Sequence, residues 1–307
     1  MLQRWWTFTQ ERFEPISHFV MISFFFLGHW IVADYFMRYP AWSSLGMPVW
    51  KILLLYLGTW VFFFKLRLYD EIKDYAFDLK YNPDRPLARG LLKKSEVQTG
   101  ILICIFIELL FAQWVGMPAF VGMLVAVVYS LLMYKEFFVG KILRNYLTTY
   151  ALTHTIVSSL LSVALLSALT ARYPWNLNYP LIFFALNSWM IFNVFEFGRK
   201  TFVSSEEKKE VETYSKLFGR SGAVILVLVM VLLSASLLSQ VRFGFLHHLM
   251  FTLFWLTLAV AVSGVIYVRK NTKQSAKIYR AVVSTYLVAV YAAVILFCWF
   301  HSNGVTS

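Results

Sequence analysis

The sequence predicts an all-α, polytopic membrane protein, with about nine transmembrane helices in one bundle and a cytoplasmic N-terminus. Three observations predict it. Of 307 residues, 59% are hydrophobic and 14% charged, against about 25% charged in a soluble domain. Charge is costly in hydrocarbon, so a lipid-embedded chain sheds it. Apolar runs of about 20 residues, the length that crosses a bilayer as a helix, recur along the chain. Lys and Arg gather in alternate loops between those runs.

The elements follow in order. Residues 1–16 carry Arg4, Glu11, Arg12 and Glu14 and lack the layout of a signal peptide. The first apolar run, about 17–37, is therefore expected to be retained. Further spans are expected near 47–68, 97–115, 117–134, 147–170, 178–197, 221–240, 246–268 and 281–301. Val115-Gly116-Met117-Pro118 is the turn signal between the third and fourth. Gly264 is read as an interruption of the eighth. No long linker divides these runs, so residues 1–307 are expected to form a single domain.

Orientation follows from the cations. With the N-terminus in the cytoplasm, 24 of the 28 Lys and Arg fall on that side, including eight between Lys65 and Lys94. Only Arg38, Lys51, Arg172 and Arg242 remain outside. An even number of spans would break the alternation. The net charge of +12 thus faces anionic lipid, and no nucleic-acid partner is expected. The 29 Phe, 17 Tyr and 11 Trp suit interfacial belts and an apolar cavity. Cys104 and Cys298 lie in apolar runs, which argues against a disulfide framework or a zinc site.

The longest loops, about 69–95 and 198–220, mix acidic and basic residues. Asp70, Asp74 and Asp78 stand at i, i+4 and i+8. On a helix such positions drift only ~40° per step, so the three carboxylates share a face and repel one another. Hard oxygen ligands of this kind suit Mg²⁺, which bridges carboxylates to phosphate. Asn82-Pro83 breaks the helix. Arg85 and Arg89 follow, placed to hold diphosphate oxygens. The plainer reading is a charged turn at the membrane surface, with Arg67, Lys73 and Lys80 neutralising the acids.

The run from Asp70 to Gly90 resembles the first signature of the UbiA-type membrane prenyltransferase superfamily, N-D-x-x-D-x-x-x-D followed by N-x-P-x-R-P-[IL]-x-x-G. Aligned on Arg85-Pro86, Asp74 and Asp78 fall on the last two family aspartates. Glu71 falls on the first, and Asp70 stands where the family has Asn. Nine helices and long second and sixth interhelical loops also agree with the family. The resemblance implies Mg²⁺ held by Asp70, Glu71, Asp74 and Asp78, an isoprenyl diphosphate as substrate, and chemistry carried by Asp74, Asp78, Arg85 and Lys135.

The family's second Asp-rich motif has no aspartate here. Anchored on Thr213 and Gly219, Glu206 takes the place of its second Asp and Phe202 that of its first. Anchored on the helix end, Glu196 takes the first place and Lys200 the second. Both alignments stay open. Glu196 and Glu206 are thus candidate metal ligands, and Arg199 and Lys200 candidate diphosphate contacts. The alternative is a solvated charged loop with sign-alternating helix pairs between Glu206 and Lys216. After the fourth span the family has a Tyr and a Lys-Arg pair; Lys135 and Arg144 are the candidates here, with a positive-inside anchor as the alternative. His18, His29 and His154 read as packed, hydrogen-bonded residues first and as functional ones second.

The function expected is transfer of an isoprenyl group from an allylic diphosphate to an acceptor, dependent on Mg²⁺, at what is expected to be a bacterial inner membrane with the active-site loops cytoplasmic. Metal and cations would stabilise the leaving diphosphate, and aromatic faces the carbocation. The rivals are a terpene cyclase on the same fold and a catalytically inactive lipid-binding or transport homologue.

Overall fold

The computed structural model describes residues 2–38 and 46–302. Arg38, one of the four cations expected outside, has its side chain beyond that description. All regular structure among the described residues is helical. The chain runs α1 (Leu2–Arg12), α2 (Pro15–Arg38), α3 (Val49–Tyr81), α4 (Lys94–Val115), α5 (Met117–Tyr134), α6 (Gly140–Leu143), α7 (Leu147–Thr170), α8 (Tyr179–Arg199), α9 (Tyr214–Ser239), α10 (Leu246–Lys270) and α11 (Lys273–Ser302). Nine of these, all but α1 and α6, are long and apolar enough to cross a membrane. The chain is an integral, multi-pass membrane protein.

Successive spans pack as neighbours, and α11 closes the bundle by returning to α2 and α8. α7 and α8 are the most buried spans. Side chains such as Leu102, Phe106, Leu232 and Phe251 stay exposed on the outer helices, where lipid takes the place of protein. The sharp turn expected between the third and fourth spans is present at Gly116.

Three spans run further than hydropathy indicates. α3 continues 13 residues past the expected end at 68, because its last turns are charged yet still helical. α9 and α11 likewise start before their apolar runs. Gly264 does not interrupt α10, which is continuous from Leu246 to Lys270. It lets α9 approach instead: a Cβ there would lie 2.6 Å from Val224 Cγ1.

Lys65, counted among the cations of the loop, is fully buried inside the bundle. Its Nζ lies 2.5 Å from Glu108 Oε2 of α4, also fully buried, and over the Phe62 ring. Hydropathy averages such residues away, whereas packing pairs them.

Candidate functional site

The site lies at the end of the bundle where α3, α5 and α8 finish and α4, α7 and α9 begin. α3 carries Asp70, Asp74 and Asp78 on one continuous helix, as their spacing requires. Their surroundings nevertheless differ. Asp78 is buried, 2% exposed. Arg85 Nη1 donates to both its oxygens at 2.7 and 2.8 Å, and Asn82 Nδ2 donates to Oδ1 at 3.0 Å. Asn82 also ends the helix, its backbone N–H donating to the Asp78 carbonyl. The turn closes at Gly90 with φ 79°, a left-handed conformation that favours glycine.

Glu71 points away from this face. It is 1% exposed and accepts from Arg12 Nε at 2.6 Å, with Arg67 Nη2 at 3.1 Å. Arg89 forks onto Glu11 at 2.8 and 2.9 Å. The same fork holds the Glu11 carboxyl below the usual carboxylate range. Arg4 reaches Glu96 at the start of α4. α1 is therefore fastened to the Asp70–Gly90 segment and its flanks by three ion pairs, a tie that hydropathy does not reveal. A polar cleft of about 570 Å³ opens between them, lined by Glu11, Arg12, Tyr81, Asp84, Arg85 and Lys208 among others.

Asp70 and Asp74 are different. Among the described residues neither accepts a hydrogen bond or forms an ion pair. Asp70 is half-buried and Asp74 exposed. Both lie within electrostatic reach of Tyr150 on α7. Asp74 also feels Arg144, and Asp70 feels Arg199 on α8. The open pair thus faces α7, α8 and the segment after α5.

That segment is bent. Glu136, Phe137 and Phe138 all have left-handed φ, between 50° and 60°. Strain of this kind persists only where the surroundings hold it. Here Arg144 Nε and Nη2 grip Glu136 at 2.7 to 2.9 Å, which also raises the guanidinium's proton affinity. Lys135 is exposed and lies over the Tyr134 ring.

On α7, His154 stacks on Tyr150 with ring centroids 3.8 Å apart. His154 Nδ1 sits 2.7 Å from the Tyr150 carbonyl, so Nδ1 carries a proton and donates. Nε2 is left as the acceptor, and Lys73 Nζ lies 3.3 Å from it. The ammonium also lies over the Tyr150 ring at 5.2 Å. Lys73, Tyr150 and His154 are site residues that the sequence did not single out as a group. A histidine one turn after a tyrosine, at the start of a membrane helix, was the available signal.

In the second acidic segment Glu196, Glu206 and Glu207 are engaged. Glu196 pairs with Arg199 at 2.5 Å and Lys200 at 3.0 Å. Glu206 accepts a fork from Arg280 of α11 at 2.9 and 3.1 Å, together with the Val203 N–H. Arg280 holds the Glu206 carboxyl below its ordinary range. Residues 201–213 contain no helix, so the pairs of alternating sign do not form there. Their order comes from specific contacts: Glu207 accepts from Thr213 and Ser215, Thr213 caps α9, and Tyr267 donates to the Phe202 carbonyl.

Among the described residues no three His, Cys, Asp or Glu side chains converge as a metal site. Mg²⁺ is commonly bound through one or two carboxylates plus substrate phosphates and water, without an all-protein cage. The two open carboxylates of Asp70 and Asp74 fit that mode. Asp78, Glu71, Glu196 and Glu206 each already accept from a cation.

The sequence model of the UbiA prenyltransferase family matches residues 24–288. No curated protein matches the chain in sequence. Two solved structures share the fold. One, from a study of digeranylgeranylglyceryl phosphate synthase in membranes, has 13% identity and a TM-score of 0.61, covering 96% of this chain and 99% of that one. The other, the apo structure of a UbiA homologue from Aeropyrum pernix K1, has 15% identity and a TM-score of 0.54, covering 89% and 97%.

Proposed function

The chain belongs to the UbiA prenyltransferase family and is an intramembrane prenyltransferase; we propose that it draws its isoprenyl group from an allylic diphosphate bound at the Asp70–Asp74 face. The observation that carries this reading is the contrast between those two open carboxylates and the paired acids around them. Like charges at i, i+4 repel and are stabilised by a cation. Asp70 and Asp74 would hold Mg²⁺, which on binding would neutralise the leaving diphosphate. Asp78 and Arg85 keep the end of α3 and its turn in register. Arg144, Arg199 and Lys200 supply positive charge around the face, and Lys135 adds a further cation on the segment after α5. Tyr150 and Tyr134 each hold a lysine ammonium over the ring, and a face that holds an ammonium can stabilise an allylic cation once the lysine moves away.

The acceptor's nucleophilic atom would then bond to the allylic carbon as the C–O bond breaks and the diphosphate departs with the electron pair. The cation distribution favours a cytoplasmic face for this end of the bundle. A single domain spanning residues 1–307 agrees with the closure of α11 onto α2.

The test is turnover by purified protein given allylic diphosphates of several chain lengths, with and without a total lipid extract as acceptor source. Diphosphate release and a prenylated product that need both the extract and Mg²⁺ are expected. A cyclised hydrocarbon formed without the extract would replace the transferase reading by a cyclase. No consumption under any condition would sink both.

A further inference from the structure

The cations around the open carboxylates differ in one respect. Arg67 is paired with Glu71, Arg85 with Asp78, Arg144 with Glu136, and Arg199 and Lys200 with Glu196. Lys73 lies between Asp70 and Asp74 in the same helical turns, yet, like the exposed Lys135 over Tyr134, it makes no ion pair among the described residues. Asp74 attracts its ammonium without pairing with it, and the groups that touch it are neutral: the Nε2 lone pair of His154 at 3.3 Å and the face of Tyr150 at 5.2 Å. With Nδ1–H committed to the Tyr150 carbonyl at 2.7 Å, Nε2 is the nitrogen left to accept from the ammonium, and a ring that accepts there is neutral. A cation already held by a carboxylate must give up that partner to bind an incoming anion. Lys73 need only leave an imidazole nitrogen and a ring face, both weaker partners for an ammonium than phosphate oxygen.

We propose that Lys73 is a diphosphate-binding residue of this enzyme, held ready by His154 and Tyr150, and that it exchanges its hydrogen bond to His154 for one to a diphosphate oxygen when substrate enters. This rests on the diphosphate reading above and extends it to a residue that the Asp-rich motif does not specify. His154 acts through Lys73 and is a positioning residue. A flexible four-carbon stem carrying a point charge suits such an exchange better than a planar guanidinium.

The test uses the full chain in lipid nanodiscs, with inorganic diphosphate plus Mg²⁺ and a non-hydrolysable allylic thiodiphosphate as probes. Lys73→Met is expected to weaken binding of both by roughly ten- to hundredfold, the range for losing a charged hydrogen bond. Lys73→Arg is expected to recover part of that loss. In nitrogen-15 histidine spectra, assigned with His154→Gln, the His154 Nε2 resonance should move when diphosphate saturates the wild type, because its donor leaves. Wild-type affinity in Lys73→Met would overturn the proposal. If that variant does not fold, the wild-type spectrum decides, and an Nε2 resonance unmoved at saturation would overturn it. A wild type that binds neither probe would overturn the diphosphate reading beneath it as well.

Discussion

Arg85 lies against Asp78 so that one nitrogen, Nη1, donates to both carboxylate oxygens, at 2.7 and 2.8 Å. The two stand seven positions apart in the chain, and the bond closes the turn that Asn82-Pro83 opens. The last acid of the helix face therefore works as a clasp, while Asp70 and Asp74 remain open. This division of labour is testable. Asp78→Ala should lower the thermal midpoint of the detergent-solubilised protein along with its activity. Asp74→Ala should leave the midpoint within error and cut Mg²⁺-dependent turnover by about a hundredfold or more, as for loss of other groups that stabilise a leaving anion. Equal destabilisation by both would remove the distinction.

The buried Lys65–Glu108 pair joins α3 to α4 within the membrane. Glu108→Ala should cost about 3–5 kcal/mol, because it leaves an ammonium without a counter-charge. Lys65→Met combined with Glu108→Met should regain most of that loss. Unfolding in a denaturing detergent series measures both. An additive double variant would mean that the two residues act separately.

The Glu206–Arg280 fork couples the segment at 201–213 to α11. The Glu206 carboxyl is held below its ordinary value, chiefly by the hydrogen bond from Arg280. A depressed carboxylate contributes order above its unfolded pKa and loses it as pH falls through the folded one. Amide protection factors across 201–213, which divide out the intrinsic pH dependence of exchange, should therefore fall as pH drops below about 4. They should already be low at neutral pH in Arg280→Gln. Protection factors independent of pH in the wild type would contradict the fork.

Arg12 holds Glu71 from α1, across 59 residues of sequence. Arg12→Gln should loosen the end of α3 and raise the Mg²⁺ concentration needed for half-maximal turnover several-fold. A double-mutant cycle with Glu71→Gln should return a coupling of about 0.5–3 kcal/mol, the range for contacting residues. A coupling of zero would make α1 a bystander.

Much was legible in the sequence, and the reason is physical. Hydrocarbon tolerates few charges and demands internal backbone hydrogen bonds, so nine apolar runs read directly as nine helices. A period of 3.6 residues places Asp70, Asp74 and Asp78 along one helix, and Asn82-Pro83 ends it. The long motif at Asp70–Gly90 carried the family. Tertiary structure decided which charges are free. Glu71, Asp78, Glu196 and Glu206 look alike in sequence to Asp70 and Asp74, yet each meets a cation, supplied by α1, by the turn after α3, by the end of α8 itself or by α11. Lys65 reads as a loop cation until α4 brings Glu108 beside it. Lys73 reads as a partner of the acids until α7 offers His154 and Tyr150. A charge is set by its neighbours in space, and in a bundle most of those neighbours lie on other helices.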